Sequence, residues 1–181
     1  MKFNRLRDKA YKCAKNHGWH EKQLSDEHCL CLVISELMEA VEADRKGNRA
    51  CVGMKDFFQD DLDSGKDFKE LFESHLKGIV EEELADACIR LLDLAGMRGI
   101  DLDEYDYSGS STDDYSGLTF TEAMYKICGY ITCSFYNDMM YVLLNEIFSF
   151  CKNRGIDIMW YIKQKMRYNE LRSYKHGGKG Y

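Results

Sequence analysis

The chain has 181 residues, of which 45% are hydrophobic and 31% charged, a balance that excludes an intrinsically disordered protein. It contains no proline, the residue least compatible with the interior of a helix, so we expect a single all-α domain over residues 1–181. The net charge of −6 combines an acidic body with six Lys or Arg residues and one Glu from residue 163 onward, which argues against a nucleic-acid-binding protein.

The chain also lacks the signals of a membrane or exported protein. Its most apolar run, residues 139–150, is too short to cross a bilayer and includes Asn145 and Glu146. The N-terminal residues lack the apolar stretch of a signal peptide. The eight cysteines are scattered without the spacing of zinc ligands and are best interpreted as free thiols in a reducing compartment. We therefore expect a cytoplasmic protein that makes no membrane contact.

Hydrophobic periodicity and capping residues predict several helices in the first hundred residues. In chain order they span 3–17, about 28–46, 67–74 and about 78–97. Between the two long helices, the segment 48–75 is polar and mixed in character.

The second half of the chain begins with an acidic segment, 101–117, whose Ser, Gly and Tyr residues predict an exposed loop. Helices follow over about 120–153, either as one helix or as two with a break near Gly129, and over 157–172. The tail 173–181 is basic and too rich in glycine to be helical.

A short internal match suggests how the helices are arranged. Residues 92–105 and 148–161 share the sequence Arg-Gly-Ile-Asp. The match favours a bundle of two similar helical hairpins, although Gly before Ile-Asp is also an ordinary helix stop and restart.

Two long helices each carry a pair of acids three residues apart. Glu36 and Glu39 lie about 60° apart on the first helix. That helix is apolar on nearly all sides, which predicts a central position where two acids need a neighbouring cation. Glu83 and Asp86 form the second pair, although a solvated helix face with acids paired to Arg90 would have the same sequence. Side by side, the helices would gather four carboxylates, oxygen ligands that suit Mg²⁺ or Mn²⁺.

A third group of polar residues lies near the C-terminus. Lys165, Asn169 and Arg172 share one helix face, and Lys179 follows within the Gly-rich tail. These residues could bind an anion. The alternative is a basic helix end that complements the helix macrodipole, which explains the cations but not the adjacent glycines.

These motifs together resemble a known family. Glu36-x-x-Glu39 within SELMEAVEADRKG and Glu83-x-x-Asp86 within EEELADACIRLLDLAG resemble the MazG-type all-α nucleoside triphosphate pyrophosphohydrolases. The C-terminal KxxxNxxRxxKHGGKxY is similar to the end of phage and bacterial members, and to the end of the dimeric deoxyuridine triphosphatases of the same superfamily. The long separation of Glu39 from Glu83 departs from the family pattern and predicts that 48–75 is an insertion.

The resemblance implies Mg²⁺-dependent hydrolysis of a nucleoside triphosphate, a dNTP or a non-standard NTP, to the monophosphate and pyrophosphate. It implies metal binding by Glu36, Glu39, Glu83 and Asp86, with Glu36 or Glu39 also positioning the attacking water. It further implies a homo-oligomer, a dimer or a tetramer. The residues expected to bind the substrate are Lys165, Asn169, Arg172, Lys179 and Trp19, although a lone Trp is more often a core residue.

Other classes of enzyme have left no motif in the chain. It contains no P-loop, no Gly-x-Gly-x-x-Gly, no Glu-x-x-His of di-iron bundles, and no serine hydrolase or zinc protease signature. The alternative to an enzyme is a non-catalytic all-α protein that binds nucleotides or another protein. Stabilisation by magnesium would separate a metal-binding protein from a pure scaffold.

Overall fold

The structure is a computed structural model that describes residues 3–105, 114–133 and 139–178. Its helices are α1 Phe3–Asn16, α2 Asp26–Arg45, α3 Met54–Asp63, α4 Phe68–His75, α5 Val80–Arg98, α6 Phe120–Cys133, α7 Met139–Asn153 and α8 Ile158–Glu170. The described residues contain no strand, which confirms the all-α prediction. Within these ranges, no helix has both the length and the apolar character needed to span a bilayer.

Helix α5 lies at the centre of the bundle, where it packs against α1, α2, α7 and α8. It runs antiparallel to α2. At one end Arg98 Nε donates to Asp26 Oδ1 at 2.6 Å, and at the other the Val80 N–H donates to the Asn48 carbonyl at 3.0 Å. The apolar stripe predicted for α5, which includes Leu84, is buried.

Helix α2 is not the central helix that its apolar composition predicts. It buries one stripe, and Met38 on its outer side is 42% exposed. Leu32, Ile34 and Val41 flank the stripe and are only half-buried, because apolar residues also cover much of a protein's surface. The buried stripe consists of Leu30, Val33, Glu36, Leu37, Ala40 and Ala43.

The segment 48–75 folds into two short helices that pack on α8. Helix α4 confirms the predicted helix at 67–74, whereas α3 was not predicted, because its polar sequence buries only Phe58. Phe58 contacts Trp160 edge-on, and Phe72 stacks on Tyr168 with ring centroids 4.2 Å apart. An aromatic cluster thus joins the segment to α8.

The segment 101–117, which is predicted to be an exposed loop, has one buried residue near each of its ends. Leu102 and Tyr115 are fully buried, and the Tyr115 hydroxyl donates to Glu146 Oε2 at 2.5 Å. The prediction of an exposed segment is therefore wrong at these two positions. Acidic and small residues dominate the composition of this segment, so its sequence does not indicate that Leu102 and Tyr115 are buried.

The two Arg-Gly-Ile-Asp segments end α5 and α7 with the same geometry. Gly99 and Gly155 adopt left-handed φ angles of +68° and +69°, which glycine accommodates without strain. Asp157 then caps α8, whereas no helix follows Asp101 in the described chain before Phe120. The shared residues are thus a common helix stop.

Helix α6 continues through Gly129 to Cys133, and α7 begins at Met139. The predicted option of a break near Gly129 is therefore wrong. One glycine costs a helix only about 1 kcal/mol, which the packing of α6 against α2 and α7 can offset.

Candidate functional site

Three of the four predicted metal ligands converge between α2 and α5. Glu36, Glu39 and Glu83 each place one carboxylate oxygen within 4.8 Å of the others, and we call these three residues the acidic cluster. The antiparallel packing makes this possible, because residues three apart on α2 face the same stretch of α5. Glu36 is buried, Glu83 is half-buried and Glu39 is exposed, so the cluster opens to solvent on one side.

Burial is the main cause of an unusual electrostatic state in the acidic cluster. It raises the pKa of Glu36 to about 7 and the pKa of Glu83 to about 8. The negative charge of Asp86 adds to both shifts, and Glu82 adds to the shift of Glu83. Carboxyl groups in this state are stabilised in their ionised form by a nearby cation. The described residues around the acidic cluster therefore supply too little positive charge to keep Glu36 and Glu83 fully ionised at neutral pH.

One cation of the described chain pairs with the acidic cluster. Arg90 Nε donates to Glu36 Oε1 at 2.5 Å, across the contact between α5 and α2. The predicted alternative, a solvated face of α5 whose own acids pair with Arg90, is therefore wrong about the partner, because Arg90 pairs with a buried acid on α2. Glu39 and Glu83 have no ion-pair or hydrogen-bond partner among the described residues.

The donor set fits a divalent cation of the Mg²⁺ class. Carboxylate oxygens are hard ligands, and those in one Mg²⁺ shell, about 2.1 Å from the ion, lie roughly 3–4 Å apart. The oxygens of the acidic cluster fall within a comparable distance of each other. Two of the three carboxylates have no competing partner in the described chain, so the residues present fit the expected cofactor.

Asp86, the fourth predicted ligand, adjoins the acidic cluster but faces a different partner. Its Oδ2 lies 2.6 Å from the Lys165 ammonium, which also forms an ion pair with Glu82. Burial opposes the charge of Lys165, but Asp86 and Glu82 outweigh it and raise the pKa of the lysine. Lys165 is 5% exposed. Its ammonium therefore faces carboxylates, whereas the sequence predicts that Lys165 contacts the substrate.

Two buried glutamates that sequence reasoning missed precede Glu83. Glu81 Oε2 accepts the Ala50 N–H at 3.0 Å, and Glu82 Oε2 accepts the Gly78 N–H at 2.9 Å. These hydrogen bonds hold the two ends of residues 48–79, the segment that carries α3 and α4 and that we call the α3–α4 excursion. The sequence feature that could have identified Glu81 and Glu82 is a run of three glutamates at the start of a helix. That pattern is more typical of an exposed first turn.

Asn169 and Arg172 lie beyond Lys165 at the end of α8. Asn169 is one helical turn, about 6 Å, from Lys165, and its Oδ1 is buried without a hydrogen-bond partner in the described structure. Such a group is rare in a folded protein and suggests an absent ligand or water. The Arg172 guanidinium lies 5.9 Å from the Tyr168 ring centroid. It forms no ion pair with a described carboxylate, so Arg172 can still contact an anion, whereas the Asn169 oxygen can accept a hydrogen bond from a hydroxyl or an N–H group.

The tail packs against the turn between α1 and α2. The Lys175 N–H donates to the His17 carbonyl at 3.0 Å, and Lys175 Nζ donates to Glu21 Oε2 at 2.7 Å. The tail is predicted to be too rich in glycine to be helical, and its described residues Lys175–Gly178 form a single turn whose positive φ angles are not those of a right-handed α-helix. Trp19 contacts the His176 ring edge-on, with centroids 5.1 Å apart. Lys179 lies outside the described residues.

The candidate site therefore consists of the acidic cluster, Asp86 and Lys165 beside it, Asn169 in the last turn of α8, and Arg172, which lies beyond the end of α8 and not on its predicted continuation to residue 172. Trp19 lies with the tail at the turn after α1. Comparison of the chain with protein-family models, curated proteins and solved structures gives no match. A function assigned to the chain therefore depends on the chemistry and placement of these side chains.

Proposed function

We propose that the protein is a Mg²⁺-dependent nucleoside triphosphate pyrophosphohydrolase of the MazG-like type. The observation that carries the proposal is the convergence of Glu36, Glu39 and Glu83 from two antiparallel helices. Like charges held together and partly buried oppose folding unless protons or a cation neutralise them. Arg90 neutralises one member only, and a divalent cation would neutralise the remaining carboxylates in their ionised form. Mg²⁺ is the first expectation, and Mn²⁺ suits the same oxygens.

In the proposed reaction, water attacks the α-phosphorus of the triphosphate. The bond from that phosphorus to the bridging oxygen breaks, and pyrophosphate leaves. A bound divalent cation supplies charge neutralisation and activation of the water. The substrate is a dNTP or a non-standard NTP, as the resemblance of the motifs implies.

The side chains of this protein take three roles in that reaction. Glu36, Glu39 and Glu83 would hold the cation, and Glu36 or Glu39 also positions the attacking water. Arg90 holds Glu36 in place through its hydrogen bond. Arg172 and Asn169 bind the phosphates or the sugar, since a guanidinium forms strong, directional hydrogen bonds to phosphate oxygens.

The test is to incubate the purified protein with Mg²⁺ and a panel of ribo-, deoxyribo- and modified triphosphates, and to separate the products by chromatography. We expect monophosphate and pyrophosphate in equal amounts, and loss of activity in Glu83→Gln. Glu42→Gln is the matched control. It removes the same charge from an exposed position on α2, where Glu42 pairs with Arg45 and Lys46 alone among the described residues, so activity should persist.

Two outcomes would contradict the proposal. Release of diphosphate and orthophosphate would mean that a different bond is cleaved. Absence of turnover, with Mg²⁺ still raising the melting temperature, would favour the non-catalytic nucleotide-binding protein instead.

A further inference from the structure

Lys165 is the most enclosed cation near the acidic cluster. It lies on α8, is 5% exposed, and places its ammonium between the carboxylates of Glu82 and Asp86 on α5. The rings of Phe72 and Tyr168 lie on its other sides, with centroids 5.8 and 5.9 Å from Nζ. A triphosphate could reach this ammonium only after these contacts were broken.

The two carboxylates that hold Lys165 have different surroundings. Glu82 is 2% exposed and its second oxygen accepts the Gly78 N–H at 2.9 Å, so this carboxylate is fixed from two directions. Asp86 lies one turn further along α5 and has an 18% exposed side chain. It lies three residues after Glu83 on α5, so the two carboxylates share one side of that helix beside the acidic cluster. Lys165 therefore connects Glu82, a buried acid with a second hydrogen bond, to Asp86, a more accessible acid beside the candidate metal centre.

We propose that Lys165 is a positioning residue, which holds the Asp86 carboxylate in place beside the acidic cluster and does not contact the triphosphate. This inference rests on the proposed function, because it assigns Lys165 a role in the same site. Lys165 acts in two ways. It restricts Asp86 to one orientation, and it competes with a divalent cation for the negative charge of Asp86.

The test combines metal binding without nucleotide and steady-state kinetics. Mn²⁺ is titrated into the protein, with free Mn²⁺ followed by electron paramagnetic resonance. We expect Lys165→Met to tighten Mn²⁺ binding about fivefold or more, because a unit positive charge near the ion is removed. We expect kcat to fall, since Asp86 is no longer held, and KM for the triphosphate to stay within about twofold.

A double-mutant cycle shows whether Lys165 acts through Asp86. In an Asp86→Asn background, Lys165→Met should change the Mn²⁺ dissociation constant much less than in the unaltered protein, because only the direct effect of its charge on Glu83 remains. A full effect of Lys165→Met in that background would overturn the proposal. A rise in KM at constant kcat would also overturn it, because that pattern identifies a substrate contact.

The remaining outcomes separate this inference from the proposed function. If Lys165→Met fails to fold, Lys165→Arg keeps the charge but crowds Asp86, and should lower kcat at constant KM; a raised KM overturns the proposal. If the unaltered protein binds no Mn²⁺, both the proposed function and this inference are overturned. Mn²⁺ binding and turnover that are insensitive to Lys165 overturn the inference alone.

Discussion

Protons and cations compete for the same side chains in the acidic cluster. Glu36 and Glu83 have pKa values of about 7 and about 8 in the folded protein, raised mainly by burial, whereas the unfolded chain has ordinary glutamates. From the ordinary glutamate pKa of 4.5 up to about pH 8, the folded state therefore binds more protons than the unfolded state. It follows that stability falls as pH rises through this interval.

Thermal melting across pH tests this linkage. Without divalent cations, the melting temperature should fall by several degrees between pH values of about 5 and about 8. Mg²⁺ should largely remove that fall, because the cation replaces the protons. Glu83→Gln, which imitates the protonated acid, should flatten the metal-free profile. A metal-free melting temperature that rises over the same interval would contradict the interpretation.

The sequence is informative about single residues where spacing defines one helix face. Glu36, Glu39 and Glu83 could be predicted to converge on that basis. Lys165 was predicted as a substrate contact because periodicity shows which side of α8 a residue occupies, but not which helix that side faces. Glu82 was missed for the same reason, since its role depends on a backbone N–H and a lysine far away in the chain.

At the scale of elements, the packing of the tail on the turn after α1 depends on Gly18. Its φ of +82° favours glycine, and a Cβ there would overlap the ring of Tyr174. Gly18→Ala should therefore displace the tail and speed hydrogen exchange of the Lys175 amide, which now donates to the His17 carbonyl. Mass spectrometry of the C-terminal peptides measures this exchange.

Gly47→Ala is the matched control for the tail. Its φ of +72° imposes a similar backbone strain, roughly 1–2 kcal/mol, but a Cβ there meets no atom within 4 Å. This variant should lose stability without faster exchange at Lys175. Equal exchange in the two variants would show that backbone strain, and not contact with Tyr174, determines the position of the tail.

The excursion formed by α3 and α4 is also open to test. Phe72 is fully buried and stacks on Tyr168, so Phe72→Ala should cost about 3–5 kcal/mol in free energy of unfolding, measured with urea. Phe57 on α3 is 62% exposed, and Phe57→Ala should change stability by no more than about 0.5 kcal/mol. Similar small effects for both would mean that the excursion contributes little to the core.

Long helices with a strong apolar period were predicted close to their observed bounds, because each buries a full stripe. Helix α3 escaped prediction because one buried residue, Phe58, leaves no period to detect. The anchors Leu102 and Tyr115 escaped for a related reason. Each is an isolated apolar residue in a polar segment, and only the cavity it fills distinguishes it from an exposed one.

At the scale of the whole molecule, the all-α class followed from composition, whereas the arrangement of the helices did not. Sequence reasoning placed α2 at the centre, but α5 occupies that position and contacts four other helices. Both helices are rich in apolar residues. The central one is determined by which faces its neighbours cover, and no local pattern encodes that information.

The assembly state is a further prediction at this scale. From the family resemblance we expect a homo-oligomer, with a mass about two or four times the 21.1 kDa of the chain. Light scattering coupled to size-exclusion chromatography measures the mass directly. A monomeric mass at working concentrations would contradict the expectation. If the mass is that of an oligomer, Met38→Glu on the outer side of α2 would test whether that face forms the contact.

The closure of the α3–α4 excursion has an evolutionary consequence. Its two ends meet at the start of α5, where Val80 bonds to the Asn48 carbonyl and Glu81 bonds to Ala50. The entropic cost of closing a loop grows only with the logarithm of its length, so chain can be gained or lost between these points at little cost. Natural variants could therefore replace the segment between these points with one of another length, while Glu39 and Glu83 stay the same distance apart in space. Each replacement would have to cover the aromatic side of α8.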